Sequence, residues 1–499
     1  MSGLQEVKMG LNALDLGIIV AYLAGVTLFG LRFRKRQGTI KDYFLAGNNT
    51  PWWAISLSIV AAETSTLTII SIPGMAYDKD FRFLQLVIGY LIGRVIVTLL
   101  FIPQYFRGEL VTAYQLIERR FGQRLRTLTA GMFLVTRAAA EGVRVFAVAI
   151  VVRIALSGLF SGLSDFGRDL CAIAIVTLLT MIYTFEGGMA AVIWTDVVQL
   201  TICLAGAVVA FFTILHLVPG GWETIRTVGG QFGKFRIFDY SWNFNATYTL
   251  WSGVIGGAFL TTASHGVDQL IVQRLLSARS ERESKIALLS SGVAILFQFW
   301  LFLLIGAMLF VFYRLFPPAA IFKRTDTIFP SFVVNHMPHG VSGLLISAIL
   351  AAAMSNLSAA LNSLSSATIV DFYGRMRPRS TEQRRVKLSR TATFGWAAVL
   401  FGLALLARHG GKVLEVGLSI ASVAYGALLG VFLLGVLTQK TSEQGAMAGM
   451  FLGFVLNLYL WLFTSVPFTW YVALGSAATF TFGYSVSRLL PLASRISTN

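Results

Sequence analysis

The sequence predicts an all-α polytopic membrane protein of about thirteen transmembrane helices. Three observations predict it. The 499 residues are 56% hydrophobic and only 13% charged, with a mean hydropathy of +0.72, more apolar surface than a soluble fold can use. Apolar runs long enough to cross a bilayer, about 20 residues each, recur along the chain. The 40 Lys and Arg residues gather in the loops between those runs, where the positive-inside rule puts them. The net charge of +17 is therefore read as membrane topology, and nucleic acid is set aside as a partner.

The first run, residues 12–33, leads directly into RFRKRQ. It is expected as a retained helix, because a cleavable signal peptide has a shorter core and other flanks. Its basic flank, residues 32–41, places the cytoplasm on that side and the N-terminus outside.

The second run, 51–77 (PWWAISLSIVAAETSTLTIISIPGMAY), carries ETSTLT at its middle. A carboxylate at the bilayer centre costs roughly 2.5–3.5 kcal/mol on insertion scales and marks a functional site by default. Glu63 therefore needs a partner, a proton or a water-filled cavity. Thr64, Ser65, Thr66 and Thr68 compete with the helical ladder for backbone partners. They predict a break, tolerated at membrane depth only where it lines a cavity or is buried in protein. An unbroken helix with back-bonded hydroxyls is the alternative.

Runs 83–106, 126–157, 166–185 and 189–216 follow, carrying the further charges Arg94, Arg137, Glu141, Arg144 and Asp196. Arg137, Glu141 and Arg144 stand at i, i+4 and i+7, so Glu141 can pair with either arginine along one face. The group is either a structural ion-pair rung or a solute contact. Arg144 is the choice for a carboxylate, which a guanidinium grips with two parallel bonds.

The seventh run, 246–275, is interrupted by TTASHG at 261–266 and ends in DQLIVQR. Of the five histidines only His265 falls at such an interruption, as a structural residue or as a solute contact. Two interrupted runs separated by four intervening ones are the pattern of a five-plus-five inverted repeat with its first and sixth core helices broken. Binding sites in that architecture lie near the midplane at the breaks. The repeats are expected over 51–216 and 246–437, with one extra helix before them and two after, at 443–488.

The remaining runs are 284–314, 340–371, 388–408, 413–437, 443–464 and 467–488. In 340–371, Ser355, Ser358, Asn362, Ser365 and Ser366 form a polar stripe on one helix face. Hydroxyl and carbonyl oxygens suit a small hard cation such as sodium, and they suit helix-to-helix hydrogen bonding equally well. The pairs Gly89/Gly93, Gly426/Gly430 and Gly449/Gly453 allow close helix contact, which is ordinary packing.

Thirteen runs that start outside must end inside, and the loops agree. Loops 107–126, 277–285 and 373–390 are basic and expected inside, whereas 217–245 and 315–339 are less basic and expected outside. The tail SRISTN then lies in the cytoplasm, for a protein of the bacterial inner (plasma) membrane. No loop exceeds roughly thirty residues, below the ~50 of a compact domain. The chain is read as one membrane domain, with a monomer as its functional unit and with lipid and a small solute as its partners. Cys171 and Cys203 fall inside apolar runs, which sets aside a disulfide scaffold and a cysteine metal site. No P-loop, GxSxG, HExxH or dinucleotide fingerprint occurs, against ATP-driven transport and against the commoner membrane enzymes.

TFEGGMAAVIWTDVVQ at 184–199 resembles the GG-x-x-x-V-x-W-T-D-x-x-Q signature of the sodium:solute symporter family, the family of the sodium/glucose cotransporters. VDQLIVQR at 267–274 is similar to its DQ-x-x-VQR element. AGNNTPWW before the first break and AAAMSNLSAALNS in run 340–371 also look like family landmarks, in the expected order. The resemblance covers nearly the whole chain. It implies a leucine-transporter-like fold and sodium-driven uptake of a small organic solute. The family's main sodium site uses backbone oxygens of the first core helix and hydroxyls of the eighth. It maps onto Ala61, Thr64, Ala352, Ser355 and Asn356, where many members have a second serine in place of the asparagine. A second sodium in some members implies Asp196 and Ser358, although the next hydroxyl position here is Ala359. The arginine that sialic-acid-transporting members carry in the third core helix falls on Ala140, so that substrate is not carried over.

The expected function is sodium-coupled import, by alternating access, of a small polar solute, either sugar-like and polyhydroxy or a carboxylate. Sodium is the coupling ion, and Glu63, Ser65, Thr66, Thr68, Arg144 and His265 are the candidate solute contacts. Proton coupling through Glu63, a non-transporting sensor and a channel are the alternatives.

Overall fold

The computed structural model describes residues 10–31, 45–107, 113–183, 189–318, 321–377 and 379–489. The basic flank 32–41, the first five residues of the 184–199 motif and the C-terminal SRISTN fall wholly or largely outside them. Helices account for nearly all regular structure among the described residues, with a single isolated bridge between Thr50 and Ala278.

The helices are α1 (Ala13–Leu31), α2 (Trp52–Glu63), α3 (Thr66–Asp78), α4 (Leu84–Leu100), α5 (Ile102–Arg107), α6 (Ala113–Phe121), α7 (Gln123–Ala155), α8 (Asp165–Tyr183) and α9 (Met189–Leu217). After them come α10 (Gly221–Gln231), α11 (Leu250–Gly266), α12 (Gln269–Leu276), α13 (Glu281–Leu315), α14 (Ile328–His336) and α15 (Val341–Ala367). The last four are α16 (Glu382–Ala407), α17 (Val413–Leu437), α18 (Glu443–Phe463) and α19 (Tyr471–Leu489). Every one of the thirteen predicted runs is occupied by helix. Among the described residues, 7 single helices qualify as membrane-crossing by length and apolarity alone, or 8 counting the bent pair α2 and α3. Helix α7 falls short because it carries Arg137, Glu141, Arg144 and Arg153 along its length; of these Glu141 is fully buried.

The first break lies where the polar residues of ETSTLT predict it. Helix α2 stops at Glu63, α3 starts at Thr66, and their axes differ by 63°. The ladder ends with Thr64 N–H on Val60 O at 2.8 Å, so the carbonyls that follow, from Ala61 onward, are released from the helix. Thr68 Oγ1 donates to one of them, Glu63 O, at 2.9 Å.

The second break corrects the expectation by one turn. TTASHG is helical, because Thr262 Oγ1 donates to Ala258 O at 2.7 Å and so satisfies its hydroxyl without leaving the ladder. The chain breaks at Val267 and Asp268. There Asp268 N-caps α12, accepting from Leu270 N at 2.9 Å. The hydroxyl of Tyr105 donates to the released carbonyl of Gly266.

Glycines bring the elements around these breaks into contact. A Cβ on Gly89 or Gly93 would lie 2.5 Å from Val254 O or 2.6 Å from Ala258 O, so α4 runs directly along α11. One on Gly306 would lie 2.2 Å from Pro73 O, which fixes α13 against α3. Helices α2/α3, α4, α11/α12 and α13 form one packed group, and α7, α8, α15 and α16 pack against one another beside it. The pairs Gly426/Gly430 and Gly449/Gly453 bring α17 and α18 onto α19.

Candidate functional site

The two breaks face each other, and one carboxylate joins them. Glu63 Oε1 lies 2.7 Å from Nε2 of His265 on α11, and Glu63 Oε2 lies 2.5 Å from Nη2 of Arg94 on α4. Arg94 is 1% exposed and also donates to Ser291 Oγ at 3.2 Å and Tyr90 O at 3.2 Å. His265 Nδ1 sits 2.9 Å from Ser264 Oγ. The intramembrane carboxylate is thus compensated by a buried guanidinium, and Arg144 plays no part in holding it.

Beside this cluster is a cavity of about 210 Å³. Ser65 and Thr68 from the first break, Thr261 and Ser264 from α11, and Thr136 from α7 put hydroxyl-bearing residues in its wall. Glu63, His265, Arg144 and Ala140 also line it. The wall continues past Tyr114 of α6 to Leu270 and Arg274 of α12. Of the six predicted solute contacts, five are in this wall. The sixth, Thr66, is 3% exposed and outside the wall.

Glu141 pairs with both arginines of its helix. Its Oε1 lies 2.6 Å from Arg144 Nη1 and 2.8 Å from Arg137 Nη2. Arg137 also approaches Asp268 Oδ2, at 3.9 Å, and Tyr425 OH donates to that oxygen at 2.6 Å. Helix α7 is thereby tied to the second break. Both arginines line the cavity, and Arg144, at 26% side-chain exposure against 9% for Arg137, is the more open of the two.

A second, small cavity of about 10 Å³ is lined by Ala61, Thr64, Ala352 and Asn356, four of the five residues mapped to the main sodium site, together with Asp196, Gln199 and Cys203. That volume holds about one water-sized particle. Backbone carbonyls released at the break, a hydroxyl and an amide oxygen are the hard donors a small cation takes. Thr64 Oγ1 is fixed between Val60 O (2.6 Å) and Gln298 Oε1 (2.7 Å). Ser355 and Ser358, each 6% exposed, lie buried on α15 outside this wall. Ser365, further along the predicted stripe, bonds helix to helix, donating to Ser389 O at 2.6 Å.

Asp196 Oδ2 accepts from Ser58 Oγ at 2.6 Å and from Arg274 Nη2 at 2.9 Å, while Arg274 Nε donates to Ser58 Oγ at 2.9 Å. The aspartate of WTD and the arginine of VQR, 78 residues apart, therefore meet. Sequence reasoning missed Ser58, Asp268, Gln298 and Gln199 as site residues. For Gln199 and Gln298 there was a signal, a lone amide inside an apolar run.

The sodium:solute symporter family profile matches residues 43–453. The sodium/sialic acid symporter SiaT of Proteus mirabilis is 29% identical over 496 residues, 97% of each chain. The human sodium/iodide cotransporter is 28% identical over 467 residues, 90% of this chain and 70% of its own. Among solved structures, the substrate-bound, outward-open state of a Na+-coupled sialic acid symporter superposes with a TM-score of 0.82 at 29% identity, covering 96% of this chain and 98% of that one. The nucleobase-cation-symport-1 transporter Mhp1 in a closed conformation gives 0.55 at 13% identity, over 90% and 96%, and shares the fold. With the profile covering most of the chain and both breaks facing a common cavity, the conclusion is that this protein belongs to the sodium:solute symporter family, as a sodium-coupled transporter of leucine-transporter-like fold and not an enzyme.

Proposed function

We propose that the chain imports a carboxylate-bearing polyhydroxy solute, of the acidic-sugar class that sialic acid exemplifies, together with sodium. The observation that carries this reading is the pairing, in one cavity wall, of the Arg144 guanidinium with Ser65, Thr68, Thr136, Thr261 and Ser264. A guanidinium takes a carboxylate in a forked geometry, and hydroxyl side chains exchange hydrogen bonds with sugar hydroxyls. Arg144 stands one turn beyond Ala140, and both line the cavity, so a guanidinium reaches the same space from a different rung. A neutral polyhydroxy solute is the second reading, favoured by the bond from Arg144 to Glu141, which already compensates the arginine.

In this reading thirteen helices cross the membrane, with the N-terminus outside and the C-terminus in the cytoplasm, and a monomer is the working unit. The five-plus-five core is α2–α9 and α11–α17, flanked by α1 and by α18 with α19. Sodium sits among Ala61, Thr64, Ala352, Ser355 and Asn356, which joins the first break to α15. A second sodium at Asp196 and Ser358 requires Asp196 to share its carboxylate with Arg274. Sodium and solute favour the same conformation, so each raises the other's affinity by an equal factor.

The test is uptake into proteoliposomes under an inward sodium gradient, with a potassium gradient as control and sialic acid and glucose as the two solutes. Sodium-driven accumulation of sialic acid supports the acidic-sugar reading, and accumulation of glucose alone favours the neutral one. Ser355→Ala is expected to abolish sodium dependence; unchanged sodium-driven uptake by that variant would sink the ion-site assignment.

A further inference from the structure

Asn356 of α15 is the one described residue that borders both cavities, the larger between the breaks and the small one that contains Ala61, Thr64 and Ala352. It is half-buried, and among the described residues its side-chain amide has no hydrogen-bond partner. A helix-borne amide free on both sides, in the wall between two cavities, can contact an occupant of each.

The chemistry of the amide orders those contacts. Asparagine carries its acceptor and its donors on separate atoms of one planar group. A cation in the small cavity attracts Oδ1 and repels the Nδ2–H donors. Turning Oδ1 toward the ion turns Nδ2 away from it, toward the larger cavity. A serine at this position would present one oxygen on a shorter arm, so ligating the ion and donating to a solute would fall to the same atom.

We propose that Asn356 couples the two sites directly: Oδ1 ligates sodium while Nδ2 donates to a solute oxygen, so the bound ion sets the amide orientation that recognises the solute. This rests on the sodium and acidic-sugar reading above, and it adds a solute contact to a residue otherwise assigned only to the ion. Such coupling is reciprocal, and each ligand tightens the other by the same factor.

The test uses the purified full chain and isothermal titration calorimetry, with sodium chloride against potassium chloride and with sialic acid as the solute probe. Wild type is expected to bind sialic acid more tightly in sodium, and sodium more tightly with sialic acid, by one common factor. Asn356→Ser leaves a single oxygen for both ligands, so the coupling factor is expected to fall about tenfold, whatever the variant's affinity for sodium alone. Asn356→Asp keeps an acceptor and loses the donor, so sodium should bind more tightly and sialic acid more weakly, an opposed change that a folding defect does not produce. Wild-type coupling in Asn356→Ser, or both affinities moving together in Asn356→Asp, overturns the proposal. A wild-type protein whose sialic acid binding ignores sodium overturns the parent reading, and this one with it.

Discussion

Glu63, the last residue of α2, sits 2.7 Å from His265, the penultimate residue of α11, so one carboxylate spans the two helix breaks. Its other oxygen holds Arg94, whose side chain is buried. Breaking a buried pair by removing one partner costs about 3–5 kcal/mol. Glu63→Gln strands Arg94 and is expected to cost that much. His265→Gln leaves the Glu63–Arg94 pair intact and should cost only about 1–3 kcal/mol, the loss of one buried hydrogen-bonding partner. Thermal unfolding of the purified variants should therefore place Glu63→Gln well below His265→Gln. Equal losses would mean that Arg94 does not depend on Glu63.

Arg274 makes three bonds with one guanidinium, to Ser58 Oγ, Leu270 O and Asp196 Oδ2. A lysine ammonium is a point charge on a flexible stem and cannot reproduce that fork. Arg274→Lys should cut sodium-driven uptake about tenfold or more, equivalent to roughly 1.4 kcal/mol. Initial rates in proteoliposomes test this, and a rate near wild type would show that charge alone suffices there.

Much of this site is legible in the sequence wherever polarity interrupts an apolar run. ETSTLT marks the first break because its hydroxyls and carboxylate have no business in lipid. TTASHG misleads by one turn: the hydroxyls of Thr262 and Ser264 bond back within the helix, and the actual stop is Asp268, a capping side chain that looks like the ordinary end of a run. Local spacing finds the Arg137–Glu141–Arg144 rung, since those partners are three and four residues apart. It cannot find Asp196 with Arg274, or choose among Arg94, Arg144 and His265 as partners for Glu63, because those contacts are made by packing of distant helices.

Arg144 and Arg137 share Glu141, but their exposures separate their roles. Arg144→Gln should raise the KM for a carboxylate solute about 10–100-fold, the loss of a charge-assisted contact worth roughly 1.5–3 kcal/mol, with little change in thermal stability. Arg137, buried and close to Asp268, should do the reverse, and Arg137→Gln is expected to lower the unfolding temperature more than it alters KM. Uptake kinetics and thermal shifts on the same preparations distinguish the two; a purely structural Arg144 would leave KM unmoved.

Helix α1, which the proposed repeats leave outside their core, is fastened to the start of the helix that bears Ala352, Ser355 and Asn356. Asp15 is fully buried and accepts from Gly340 N at 2.7 Å and Gly343 N at 3.2 Å, with His339 Nδ1 2.6 Å from its other oxygen. An anion at a helix N-terminus is favoured by the released amides and by the helix dipole. A Cβ on Gly343 would lie 2.7 Å from the Asp15 backbone, so this approach needs glycine. Asp15→Asn should destabilise the fold by about 1–3 kcal/mol, and Gly343→Ala should push α1 away with a similar loss. If α1 also fixes the position of α15, both variants will need more sodium for half-maximal uptake while the solute KM at saturating sodium stays near wild type. A lowered unfolding temperature with unchanged sodium dependence would reduce α1 to a structural brace.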